Sequence, residues 1–172
     1  LHGDGTRDSN FDIGAGATLG ANPGLVYALA AQRDGKLIVG GNFTEFSGQP
    51  AKYLVRLLAD GSLDPAFSVG TGPYQQVTSI ALLGDGRILV AGDFSSWSGE
   101  NANRLVRLNS DGSLDRTFAA AAAAGVVEGL LVQEDGRVIL RGKFTSVGSQ
   151  PNTAYVARLL PDGAVDPSFK VV

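Results

Sequence analysis

One eight-residue phrase is written three times. "DGSLDPAF" occupies residues 60–67, "DGSLDRTF" 111–118 and "DGAVDPSF" 162–169, and successive copies begin 51 residues apart. Other landmarks keep a period of 51 or 50 residues. A second Asp-Gly series falls at Asp34, Asp85 and Asp135, and a second Phe series at Phe43, Phe94 and Phe144. Gly41, Gly92 and Gly142 each precede one of those Phe residues by two positions, and Arg56, Arg107 and Arg158 recur mid-run. A fixed period of about 50 residues marks one supersecondary unit that cannot bury its apolar face alone, so neighbouring units must stack.

Each unit reads as four short strands. In the first, "LVYALAAQ" (25–32) and "LIVGGNF" (37–43) flank an Asp-Gly turn, and a polar loop "TEFSGQPAK" (44–52) leads to "YLVRLLA" (53–59). Asp60-Gly61 then turns the chain into "SLDPAF" (62–67). Asp-Gly between apolar runs predicts a hairpin with a type I′ turn, in which both central residues take positive φ. Gly at 24 of 172 residues suits many strands joined by tight turns. No sustained 3.6-residue stripe appears, and "AAAAAAG" (119–125) is too short to stand as a helix, so it is expected to be a connector or a strand extension.

The fold class is therefore all-β: a β-propeller-type repeat of three four-stranded antiparallel blades. The single repeat domain, 1–172, divides into an orphan strand and connector (1–24) and blades at 25–68, 77–119 and 126–171. The orphan strand is placed near 6–12. Closed propellers have about four to eight blades. Three blades are thus a partial propeller or half of an oligomeric ring. Two copies making a six-bladed ring is the preferred expectation, and further blades of a longer parent chain the alternative. A chain that opens on Leu1 reads as an excerpt or a processed product.

The pattern "V..IA...DGRILVAGDF…RLVRLNSDGSLD..F" resembles the delta-60 repeat, a bacterial family regarded as β-propeller-like. The resemblance runs from Asp4 to Phe169, though the first unit departs from it: its opening "DGTRDSNF" (4–11) is followed by a longer connector, "DIGAGATLGANPG" (12–24). Such repeats are found in large secreted or surface proteins without an assigned reaction. The resemblance thus implies a bacterial extracellular or cell-surface location and a structural or interaction role.

Charge and composition narrow the function further. A net charge of −3 with no Lys/Arg run leaves nucleic acid without an electrostatic footprint. No apolar run reaches about 18 residues, so no membrane insertion is expected. With no Cys there is no disulfide, thiolate metal site or cysteine nucleophile, and no cofactor motif is found. The only His is His2, at the terminus, which leaves a Ser-His-Asp arrangement without its base. No catalytic residue and no metal site is assigned, and the chain is not expected to be an enzyme.

Two residue sets stand out. Arg56, Arg107 and Arg158 lie among apolar residues, and Asp64, Asp115 and Asp166 follow just across the turn, so each Arg is expected to form a structural ion pair with its Asp, since a planar guanidinium can hold a carboxylate. Pairs of Asp four apart, such as Asp60 and Asp64, lack the alternating ligand pattern of a calcium loop. Phe46 and Trp97 occupy equivalent loop positions, and Tyr74 lies in a connector. As stacking surfaces for a sugar they make a carbohydrate-binding module the second reading, although the equivalence of Phe46, Trp97 and Val147 favours a bulky anchor. A hydrolase or lyase with a site on the central face is the third, with Glu45, Glu100, Glu128 and Glu134 as the available carboxylates. The remaining partners expected are self-association, further blades, or a glycan or protein ligand.

Overall fold

The computed structural model describes residues 4–6, 8–150 and 154–170. His2, and residues 151–153 and 171 of the third predicted blade, lie outside them. Regular structure among the described residues is entirely β. A hairpin of β1 (Ala17–Leu19) and β2 (Asn22–Pro23) precedes unit 1, which comprises β3 (Leu25–Ala31), β4 (Leu37–Asn42), β5 (Glu45–Phe46), β6 (Gln49–Pro50) and β7 (Leu54–Leu57). Unit 2 comprises β8 (Val77–Leu82), β9 (Ile88–Gly92), β10 (Ser96–Trp97), β11 (Glu100–Asn101) and β12 (Leu105–Leu108). Unit 3 comprises β13 (Ala123–Val132), β14 (Val138–Val147) and β15 (Val156–Leu159).

Each unit builds an antiparallel three-stranded sheet, β3-β4-β7, β8-β9-β12 or β13-β14-β15, with the second strand in the middle. The expected fourth strand is replaced by a single bridge, Leu57↔Leu63, Leu108↔Leu114 or Leu159↔Val165. The reason lies in the Asp that follows. Asp64 Oδ1 accepts the backbone N–H of Ala66 at 2.9 Å, and the Asp64 carbonyl accepts that of Phe67 at 3.2 Å. A side chain that bonds its own backbone two residues on makes a turn in place of a ladder. Asp115 and Asp166 repeat both bonds.

The Asp-Gly turns also differ from expectation. Only the glycine takes positive φ, +84° at Gly35 and +90° at Gly61, while the Asp does not. Gly35 N–H reaches the Gln32 carbonyl, and Gln32 N–H reaches Lys36. That is a three-residue loop closed by a left-handed Gly. The turn with two positive φ values lies elsewhere, at Ser47-Gly48 (+52°, +73°) and Ser98-Gly99 (+49°, +82°), where it closes the hairpins β5-β6 and β10-β11 inside the segments expected to be loops.

The described residues around 6–12 are turn and coil, not strand. Even so, Phe11 packs on the unit 1 core and Asp12 N–H donates to the Asp60 carbonyl at 2.9 Å. Ser68 N–H donates to the Asp111 carbonyl in the same way. The opening phrase therefore docks on unit 1 as the first full phrase docks on unit 2. The longer connector forms the β1-β2 hairpin. Residues 119–122 are connector, and the rest of the alanine run is the start of β13.

β4 and β9 are buried along nearly their whole length because both faces of each sheet are covered. Ile38 and Leu54 of unit 1 join the core of unit 2, which also takes Phe67. Leu89, Ala91 and Leu105 of unit 2 join the core of unit 3, which takes Phe118. A strand covered on both sides has no polar alternation, which is why "LIVGG" and "ILVAG" read as continuous apolar runs.

Candidate interaction site

Two contacts join consecutive units. The first is a clasp at the outer edge. Arg56 Nε donates to Asp64 Oδ2 at 2.8 Å, Arg107 to Asp115 at 2.7 Å and Arg158 to Asp166 at 2.9 Å. Each guanidinium also lies 4.6–4.9 Å from the centroid of the ring ending its phrase: Phe67, Phe118 or Phe169. Cation–π contact and ion pairing share one planar group, a use that suits Arg and not Lys. Arg56 Nη1 then reaches forward to the Ser110 carbonyl, and Arg107 Nη1 to the Pro161 carbonyl at 3.0 Å. Both acceptors stand one residue before the Asp-Gly turn of the following unit. Gly112 of that turn has no room for a side chain, since a Cβ there would meet the Ser68 carbonyl at 2.8 Å.

A second cation completes each clasp. Lys36 lies 3.1 Å from Asp64, Arg87 3.1 Å from Asp115 and Arg137 3.3 Å from Asp166. These residues immediately follow the first Asp-Gly pair of each unit. Sequence reasoning missed them, although their common basic character at one period was the available signal. Burial pushes the Asp115 carboxyl up, but bonds from the Thr117 hydroxyl and backbone N–H, then Arg107 and Arg87, outweigh it and hold the group well below the usual carboxylate range. Asp64 is lowered on the same balance: burial acts against the Ala66 N–H, Lys36 and Arg56.

The second contact is a knob and socket between first and middle strands. Val77 of β8 points at Gly40 of β4, where an added Cβ would lie 2.6 Å from Val77 Cγ1. Val127 of β13 packs with Ala91 of β9 in the same core. Both valines are 0% exposed, whereas the equivalent Val26 of β3 is 45% exposed. Polar bonds flank the second seam: Thr78 Oγ1 lies 2.5 Å from the Val127 carbonyl, and Leu130 N–H donates to Ser79 Oγ at 3.1 Å. The three first strands, with Ile139 and Arg141 of β14, line an open groove of about 500 Å³ that includes Tyr27, Thr78 and Glu128.

The three residues expected to stack on a sugar are not brought together. Trp97 and Phe46 are buried, each edge-on to Phe94 or Phe43 at 5.4 and 5.8 Å between centroids. A sugar needs an open ring face, so neither ring is available and both act as anchors of the small hairpins. Tyr74 alone is open, at 80% exposure. The candidate carboxylates are dispersed: on β5 Glu45 accepts from Thr18, on β11 Glu100 pairs with Arg116, and on β13 Glu128 lies 3.4 Å from Lys143. Among the described residues no three His, Cys, Asp or Glu gather as a metal site.

Comparison with known proteins agrees with this architecture. A family model described as a domain of unknown function (DUF5122) β-propeller matches residues 32–67, 83–118 and 133–169, one match in each unit. No curated protein matches. Among solved structures, a protein of unknown function from Bacteroides caccae, known at 1.35 Å resolution, aligns with 12% identity over 83% of this chain and 80% of that one. Its TM-score of 0.36 is too low to bear on fold or function.

Proposed function

We propose, from the premise that the chain belongs to the DUF5122 β-propeller family, that it is a non-catalytic structural or interaction module of a bacterial extracellular or surface protein. Each unit is read as a propeller blade whose fourth strand is condensed to one bridge and a docking phrase, a form that fits the delta-60 resemblance. The module works as a stiff frame: it holds the connectors and small hairpins at fixed spacing and displays side chains such as Tyr74 to a protein or glycan ligand.

The observation that carries this reading is the fate of the recurring charged groups. All three Arg–Asp pairs are spent on each other, on a ring and, at the two internal seams, on a carbonyl of the next unit. Groups so engaged are committed to holding geometry, and the repetition of the same pair in all three units fits a structural role better than a single catalytic centre. A panel of glycoside and ester substrates is expected to show no turnover. Turnover abolished by substituting one carboxylate would overturn the non-catalytic reading. For location, protease treatment of intact cells of the source bacterium should remove the module from an antibody blot. Its survival on intact cells, with loss after lysis, would place it inside.

A further inference from the structure

The socket that receives the next unit's valine is glycine in unit 1 (Gly40) and alanine in unit 2 (Ala91). At the matching position of unit 3 stands Arg141. The match is fixed by pairing: Gly40 opposes Ala28 and Leu54, Ala91 opposes Ser79 and Leu105, and Arg141 opposes Gly129 and Val156. Leu54 and Leu105 face the following unit, so Arg141 shares the side of the sheet that looks away from unit 2. It is a built feature. Gly129 leaves the space that Arg141 fills, since a Cβ there would lie 2.6 Å from Arg141 Nε. The Arg141 side chain is 66% exposed and Lys143 stands on the same strand two residues on, with one carboxylate, Glu128, at 3.7 and 3.4 Å from them. Two cations against one anion leave this edge positive.

The outer clasp of the same face is retained. Arg158, Asp166 and Phe169 repeat the arrangement that in units 1 and 2 meets a following Asp-Gly turn. The face is therefore shaped like a seam at its rim and unlike one at its socket.

We propose that this face of unit 3 is a keyed docking surface for a further β-blade that presents a carboxylate, not a valine, at the knob position, and that Arg141 sets the choice. A valine pressed onto the guanidinium would desolvate the two cations that share Glu128 without balancing their excess charge, whereas a carboxylate there supplies the second anion. A second copy of this chain presents Val26 and is rejected, so the head-to-tail six-bladed ring is disfavoured. This inference rests on the reading that units stack as blades. A catalytic activity elsewhere would leave it standing.

The test is a crossed cycle on the full chain. A copy of residues 69–119, which carries its own knob Val77, is appended after Lys170, and amide hydrogen exchange of the copy's middle strand is read. The four proteins combine Arg141 or Arg141→Ala in unit 3 with Val77 or Val77→Asp in the copy. Exchange is expected to slow by about tenfold or more when Asp meets Arg141, and again when Val meets Ala. The two mismatched combinations should stay fast. Slow exchange with Val facing Arg141 would overturn the keying. Fast exchange with Asp facing Arg141 would overturn the docking surface itself, whether or not the Val–Ala pair protects. Arg141→Gly, which copies the unit 1 socket, repeats the control should Arg141→Ala fold poorly.

Discussion

The middle strands of units 2 and 3 are the same element in two settings. β9, "ILVAG", is buried at every residue, with unit 1 on one face and unit 3 on the other. β14 begins "VILRGKF", and there only Val138, Leu140 and Phe144 are buried, while Arg141 and Lys143 stand on the uncovered side. The backbone pairing is alike; what differs is whether a neighbour covers the second face. A strand's second face thus differs with what covers it, apolar at the seam between units 2 and 3 and charged on the face of unit 3 that no described unit covers.

The largest test of that contrast exchanges the residues. Ala91→Arg puts an unpaired charge into the closed seam, and urea unfolding should show a loss of roughly 3–5 kcal/mol. Arg141→Ala on the open face should change stability by less than about 0.5 kcal/mol. Equal effects would remove the distinction between the faces. Next in size is the clasp. Arg107→Ala strands buried Asp115 and frees the Pro161 carbonyl, with an expected cost of about 2–4 kcal/mol. Arg158→Ala, which among the described residues removes no such forward bond to another unit, should cost clearly less in the same titration.

The knobs give a smaller difference: Val127→Ala should cost about 2 kcal/mol, and Val26→Ala, half exposed, well under about 1 kcal/mol. Smallest, and separable by pH, is the Asp115 carboxylate. Its pKa is lowered on folding, so its contribution is complete above the unfolded value of 3.8 and is lost as pH falls from there toward the folded value. The native protein should therefore lose stability below about pH 4, and Asp115→Asn, weaker at neutral pH, should lose less over the same range. Parallel pH curves for the two would contradict the role given to the ionised clasp.

Much of this was legible in the chain. The 51-residue period, the antiparallel hairpins and the Arg–Asp partnership follow from residues that repeat together. The turn type did not, because Asp-Gly fits a three-residue loop with one left-handed Gly as readily as a type I′ turn, and only backbone bonding separates them. The fourth strand was misread for a related reason: "SLDPAF" is apolar enough for a strand, but Asp64 binds its own backbone and curls the run. Trp97 looked free because its loop is polar, yet a two-residue turn at Ser98-Gly99 folds that loop back and buries the ring. The cue in "VILRGKF" against "LIVGGNF" and "ILVAGDF" lay in plain view. It needed knowledge of which face receives the next unit before a single Arg could be read as a change of partner.

The central claim is that clasps and knobs fuse the three units into one stiff body. Trp97 reports on the unit 2 core, while far-ultraviolet circular dichroism reports on all strands. Followed by both in one urea titration, unfolding should give coincident curves with a single midpoint. A Trp97 transition separated from the circular-dichroism transition would mean that units melt independently, and the account of the seams would fail.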